Sequence, residues 1–150
     1  MNYWLMKSEP SVFGIDDLKR CKTEPWDGVR NYQARNMLRD AMKQGDLALF
    51  YHSACDAPGI TGIMEIATPA YADPTAFDPE DPHFDPKSNP DSPRWFLVDV
   101  KYKRKLRRII TLAELRKQPL LQEMPLLRKG NRLSIMPVSK KEWDYILDME

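Results

Sequence analysis

Three stretches hold the side chains best suited to recognising a ligand: Lys7-Ser8-Glu9-Pro10, Trp26-Asp27-Gly28-Val29-Arg30-Asn31-Tyr32 and Arg132-Leu133-Ser134-Ile135-Met136-Pro137. Each sets an aromatic or polar group beside a residue that shapes the backbone. None carries an obvious reaction. Trp26 stands in a Pro/Asp/Gly turn, where burial is less automatic than in a strand or helix. An aromatic held on a loop beside hydrogen-bonding side chains offers what a flipped or unpaired base needs, a stacking face and edge contacts. Trp95, which follows a long loop, is a second candidate. Trp4, inside an apolar strand, and Trp143, on an apolar helix stripe, read as core. In the third stretch alternation puts Arg132, Ser134 and Met136 on one face and Leu133 and Ile135 on the core face. Ser134 and Met136 would then give a planar ligand a polar edge and an apolar floor.

Catalytic and metal readings fare worse. His52 and Ser53 are adjacent on a strand, so they point to opposite faces and cannot act on one another. Tyr51 and Ser53 share a face and suit a pocket wall, while His52 reads as a structural hydrogen-bonder. Asp78, Asp81 and Asp85 with His83 could be drawn as a metal cluster, but their proline-separated setting reads as a solvated acidic loop. No Walker loop, GxGxxG, HExxH or CxxC pair is present. The expectation is a binding protein with no metal and no cofactor, and not an enzyme. Lys101-Tyr102-Lys103-Arg104-Lys105-Leu106-Arg107-Arg108 carries six basic residues in eight. By default this is a solvated turn, yet without a nearby acid it is dense enough to contact phosphates. Arg35, Arg39 and Lys43, four apart on one helix side, could extend that patch.

The elements that must position these residues follow from hydrophobic periodicity. Strands are predicted near 3–7, 47–51, 60–67, 95–102 and 132–138, with Pro137 hinting at an edge or bulge. Asp16-Asp17-Leu18 opens a short helix in which Gly14 stands where a Ser or Asp cap would be expected. Gln33 to Lys43 is a second helix, with Ala34, Met37, Leu38 and Ala41 apolar. Thr111-Leu112-Ala113-Glu114 and Ser139-Lys140-Lys141-Glu142 have capping-box spacing. Between Asp73 and Pro93 lie six prolines and six acidic residues, an irregular loop long enough to be functional or mobile. With no βαβ repeat, the pattern predicts an α+β fold with a mostly antiparallel sheet that curls towards a barrel.

At 150 residues the chain fits one domain, 1–150, with a real core. Its net charge of +1 averages over opposed local blocks and says little about partners. The start Met-Asn-Tyr-Trp-Leu-Met-Lys is too short an apolar run for a leader or membrane anchor. Cys21 and Cys55 are therefore expected as reduced thiols of a cytoplasmic protein.

Taken together, the three stretches, with Ala76-Phe77-Asp78-Pro79 and His83-Phe84-Asp85-Pro86-Lys87, resemble the EVE domain family, from Tyr3 to about Ile146. The resemblance implies a PUA-like pseudobarrel with short flanking helices. It also implies a nucleic-acid reader, of RNA or DNA, that holds a modified or flipped base in an aromatic-walled pocket. The base would stack on Trp26, with Trp95 or Tyr51 opposite. Its edge would be read by Ser8, Glu9, Asn31 and Ser134, and Lys7, Arg30, Arg35 and the 101–108 block would meet phosphates. By residues alone, Lys7-Ser8-Glu9-Pro10 reads as a surface turn, and it is the resemblance that makes it a reader. Two alternatives stay open: an enzyme on nucleic acid or a nucleotide-like ligand with Glu9 as general acid/base, and a protein-interaction module that uses the acidic loop.

Overall fold

The computed structural model describes all 150 residues. A six-stranded sheet is built from β1 (Tyr3–Ser8), β2 (Thr23–Pro25), β3 (Leu47–His52), β4 (Gly59–Ile66), β7 (Asp99–Thr111) and β8 (Ile135–Val138). Its order is β2-β7-β4-β3-β1-β8, and a separate pair is formed by β5 (Tyr71–Ala72) and β6 (Phe96–Leu97). Every neighbouring pair is antiparallel except β1 with β3, which run parallel. The chain between these two strands is long enough to carry it back across the sheet, as a parallel return requires.

Both faces of the sheet are covered, which explains the unbroken apolar runs Trp4-Leu5-Met6 and Ala48-Leu49-Phe50-Tyr51. On one face Trp4, Met6, Ala48 and Phe50 pack with Trp26, with Ile15 and Leu18 of α1 (Ile15–Cys21), and with Ala34 of α2 (Tyr32–Asn36). On the other, Leu5, Leu49 and Ile60 pack with Leu115 of α3 (Leu112–Arg116) and with Trp143 and Ile146 of α4 (Lys140–Asp148). The strand carries no side chain at Gly62, where a Cβ would meet Ile15 Cγ1 at 2.8 Å and the Arg104 carbonyl at 3.0 Å. That gap is what lets α1 lie against β4.

Four sequence expectations need correction. The strand expected at 95–102 is two strands: β6 pairs with β5, and β7 runs on through the whole basic block, which is therefore strand and not turn. The final strand begins at Ile135, because Asn131 Oδ1 accepts the Leu133 N–H at 2.8 Å and holds 131–133 in a turn. Pro137 does lie on an edge strand. The helix expected from 33 to 43 is α2 followed by one wide turn, Met37–Ala41, closed by the Met42 N–H on the Met37 carbonyl at 2.8 Å. That turn rotates Met42 into the core with Ala34 and Leu38, while Met37 and Ala41 pack against it half-buried. Both capping boxes form as expected, at Thr111 and Ser139.

Gly14 is the N-cap of α1, as expected, and its lack of a capping side chain is made good from outside. The Ile15 N–H donates to His52 Nε2 at 3.1 Å, and the Asp17 carboxylate accepts the Gly14 N–H at 2.7 Å. His52 must be neutral to accept, and burial holds its pKa below the usual imidazole value. A depressed histidine pKa contributes stability above the unfolded value of about 6.5, and this is lost as pH falls through the folded value. His52→Ala should therefore cost about 0.5–2 kcal/mol in urea unfolding near neutral pH, as loss of a helix cap does. The gap between variant and wild type should close towards pH 5. A gap that does not change with pH would show that His52 does not serve α1 as an acceptor.

Candidate nucleic-acid interface

The sheet curls until the ends of β1 and β2 border one cavity, although β7, β4 and β3 lie between them in sheet order. The cavity measures about 330 Å³, within the usual range for a small-ligand pocket. Lys7 and Ser8 line it from β1, Val12 and Phe13 from the following loop, Glu24 to Asp27 from β2 and its turn, and His83 from the acidic loop. The β1 end is held by backbone bonds: Lys7 N–H donates to the Ser134 carbonyl at 2.8 Å, and Ser53 N–H to the Ser8 carbonyl at 3.0 Å. The loop after it is tied down because the Glu9 carbonyl accepts from both Val12 and Phe13 N–H at 2.9 Å. Ser8 Oγ donates to the Phe13 carbonyl at 2.6 Å, so towards the cavity it can only accept.

Trp26 forms the aromatic wall. It is 7% exposed, and its ring meets Phe50 edge to face with centroids 5.4 Å apart. Its indole N–H has no protein partner, while no buried side-chain nitrogen or oxygen in the molecule goes unsatisfied. The N–H therefore opens onto the cavity. Glu24 and Asp27 flank it with no hydrogen bond or ion pair of their own. Partial burial pushes both carboxyls up; Asp73 adds to the shift at Asp27, and Asp27 with Asp99 to that at Glu24. Burial lowers the Lys7 pKa, and its ammonium, 5.8 Å from the Tyr51 ring centroid, pairs with no carboxylate.

What fixes the Trp26–Asp27 wall is Asp73, a fully buried carboxylate. It accepts the Gly28 N–H at 2.8 Å, Arg30 Nη1 at 3.0 Å, Thr75 N–H at 2.9 Å and Thr75 Oγ1 at 2.6 Å. Arg30 also donates to the His83 carbonyl at 2.7 Å and to Thr75 Oγ1 at 3.1 Å. Gly28 has φ +80°, and a Cβ there would stand 2.6 Å from His83 Nε2, so glycine is required both for the turn and for the approach of the acidic loop. The loop from Asp73 to Pro93 thus has a structural role that the sequence left unassigned: it braces the pocket wall and sends His83 to the rim. No group of His, Cys, Asp or Glu within it is placed to hold a metal ion.

Of the residues expected to converge, Lys7, Ser8 and Trp26 line the cavity, and Ser134 adjoins it through its carbonyl. The others lie elsewhere. Met136 is fully buried on the opposite face among Leu5, Leu49 and Trp143, because Ile135 and Met136 each enter a core, one on each side of β8. Tyr51 is buried on that same opposite face. Asn31 accepts the Ala34 N–H at 3.0 Å as the cap of α2. Trp95 stacks on Tyr32 at 4.7 Å, lies under Arg30, and donates Nε1 to Asp85 at 2.7 Å, so its surface is already occupied. Ser53 and Glu9 are outside the cavity lining. Glu24, Asp27, Phe13 and His83 were missed. An acid in a turn looks the same in sequence whether it faces solvent or a pocket, and His83 arrives from a distant segment.

The phosphate candidates are largely engaged. Arg30 is spent on Asp73, Arg35 Nη1 donates to the Arg94 carbonyl at 2.7 Å, and Arg39 pairs with Asp40 at 2.7 Å. On β7, Lys103 meets Glu65 at 3.5 Å, Arg104 meets Glu150 at 2.6 Å, Lys105 meets Asp16 at 2.9 Å and Arg108 meets Glu114 at 2.7 Å. The block does have compensating acids, then, three from distant segments and one, Glu114, from the helix that follows β7. Only Lys101 and Arg107 keep free side chains within it.

A curled mixed sheet flanked by short helices, with its cavity at the sheet opening, defines a PUA-like fold. This chain belongs to the EVE domain family, whose model matches residues 2–149. Human thymocyte nuclear protein 1 is 46% identical over 168 residues, which span 99% of this chain and 74% of that protein. The crystal structure of human THYN1 protein in complex with DNA containing 5-methylcytosine has a TM-score of 0.92 at 46% identity, covering 99% of this chain and 97% of that one. The YTH domain of a Zygosaccharomyces rouxii protein shares the fold alone, with a TM-score of 0.56 at 12% identity over 99% of this chain and 85% of that one.

Burial pushes the Asp73 carboxyl up, but the hydrogen bonds from Thr75, Gly28 and Arg30 outweigh it and hold the pKa below the usual range. The stability it contributes is present above the unfolded value of about 3.9 and is lost as pH falls through the folded one. Asp73→Asn leaves Arg30 without its counter-charge and should cost about 3–5 kcal/mol, read as a drop in urea midpoint. Amide exchange should speed up across 27–30 and 73–85 while the β3–β4 pair stays protected. Uniform loss of protection would show that Asp73 serves the whole core and not this wall.

Proposed function

We propose that this chain is a nucleic-acid-binding reader that takes a modified base into the cavity beside Trp26. The observation that carries the reading is that cavity: an aromatic wall with an unpartnered indole N–H, an accepting serine and two unpaired carboxylates. The likeness to a human protein crystallised with DNA containing 5-methylcytosine supports it. Trp26 is too buried to offer a whole face, so the base meets its exposed edge and is held chiefly by hydrogen bonds, with Phe13 and Val12 as apolar neighbours. Within the basic block the residues free to meet phosphates are Lys101 and Arg107 on β7. The protein binds without turnover, since Glu9, the acid/base candidate of the enzyme alternative, lies off the cavity. No helix is long and apolar enough to cross a membrane, and the free thiols of Cys21 and Cys55 favour a reducing compartment such as the cytoplasm.

The test is binding of labelled DNA and RNA oligonucleotides, with and without cytosine and adenine modifications, over a range of salt. Affinity should fall as salt rises. Trp26→Phe keeps the packing on Phe50 but removes the N–H, so it should erode discrimination between modified and unmodified oligonucleotides while leaving the salt slope alone. Lys101→Ala and Arg107→Ala should each reduce the log–log slope by about 0.7–0.9 and leave discrimination alone. Absence of binding to every oligonucleotide, or a folded Trp26→Phe that discriminates as wild type does, would overturn the reading. Release of a modified base that Glu9→Gln abolishes would establish the enzyme instead.

A further inference from the structure

Glu24 and Asp27 are an unexplained expense of this fold. They line the same cavity and touch no hydrogen-bond donor of the protein; burial raises both, with Asp27 and Asp99 adding to the shift at Glu24 and Asp73 to that at Asp27. The acidic loop nearby shows what the fold does when it needs a carboxylate for structure: Asp73 takes four donors and Asp85 takes the Trp95 N–H. The two pocket carboxylates take none. Between them stands the independent observation that a ligand belongs here, the Trp26 N–H, on a side chain more than nine-tenths buried, unpaired and open to the cavity. Lys7 and Ser8, at the end of β1, close the cavity opposite this wall, with the Lys7 ammonium turned towards the Tyr51 ring.

The cavity therefore offers a donor, at Trp26, and acceptors that cannot donate while ionised, at Glu24 and Asp27. Resting on the reading above, we infer that Glu24 and Asp27 make the pocket selective for a base that carries an exocyclic amino group beside ring acceptors, the pattern of the cytosine edge, and reject the corresponding oxo base. Cytosine presents N4–H₂ as donor and N3 and O2 as acceptors. The amino group can satisfy a carboxylate while N3 or O2 accepts from Trp26. Thymine and uracil present O4 as an acceptor and N3–H as a donor, which sets a carbonyl oxygen against a carboxylate and a donor against the indole N–H. A carboxylate that takes the amino hydrogen gains a charge-assisted bond, whereas one facing O4 stays desolvated and unpaired, and the second is the larger effect.

5-Methylcytosine and thymine make the sharpest comparison, because both carry the 5-methyl group and they differ only at the C4 substituent and the N3 proton. Single-stranded oligonucleotides identical but for one such base remove any difference in duplex pairing. Wild type should bind the 5-methylcytosine strand at least roughly tenfold tighter than the thymine strand, a ratio worth about 1.4 kcal/mol. Glu24→Gln with Asp27→Asn keeps both shapes but adds amide donors that can meet O4, so the ratio should fall towards one, chiefly through tighter thymine binding. Because neither carboxylate has a protein partner, the double variant should unfold at the same temperature as wild type or higher. Equal wild-type affinity for the two strands, or an undiminished preference in the folded double variant, overturns this inference and leaves the reader function standing. Binding to neither strand overturns both.

Discussion

One buried carboxylate governs the working end of this molecule. Asp73 has no exposed surface, and four donors converge on it from Gly28, Arg30 and Thr75. An unpaired charge at such depth would be strongly unfavourable; paired and fully hydrogen-bonded, it ties together two segments that otherwise have little reason to meet. One is the turn that carries Trp26 and Asp27, and the other is the proline-rich acidic loop. Arg30 continues the link to the His83 carbonyl and lies 5.5 Å from the Trp95 ring centroid. The pocket wall is thus rigid for reasons outside the pocket. The prolines contribute by limiting the freedom of the loop before it is pinned.

The parts of this fold that were legible in the sequence are those fixed by local rules. Apolar runs announced β1 and β3, capping-box spacing announced α3 and α4, and glycine at position 14 correctly marked the start of α1. What was illegible depended on distant partners. Nothing near Gly14 says that His52 will cap its helix. Alternation assigned Met136 to a wet face because it assumed that only one side of the sheet is buried. Both sides are, and the rule fails for any strand sandwiched in that way. The motif residues Lys7, Ser8 and Trp26 did converge, yet Asn31 and Trp95, equally prominent in sequence, are consumed by capping α2 and by stacking on Tyr32. A polar or aromatic residue in a turn is a candidate for recognition only until the structure shows what it already holds.

The basic block makes the same point about charge. Read as a string it is a phosphate-binding surface. As the strand β7, it alternates sides and passes Glu65, Asp16, Glu114 and Glu150, and each removes one cation. Three of these pairs are exposed and individually weak, while Arg104 meets the largely buried Glu150 carboxylate through two hydrogen bonds. Phosphate can compete for the weak ones, but every such contact then exchanges one ion pair for another instead of gaining one.

That exchange shapes how such a protein can bind. A reader that relied on phosphates would hold all sequences nearly alike, since backbone contacts carry no sequence information. Here the uncommitted cations of β7 are few, and the acidic loop with Glu24 and Asp27 sets negative charge around the pocket. Non-specific affinity is kept low at the very place where a base must enter. On the proposed reading the free energy of binding would then come from the pocket: the unpaired donor of Trp26, the acceptor of Ser8 and the carboxylates of Glu24 and Asp27. On that reading, discrimination is built by withholding backbone affinity as much as by adding base contacts.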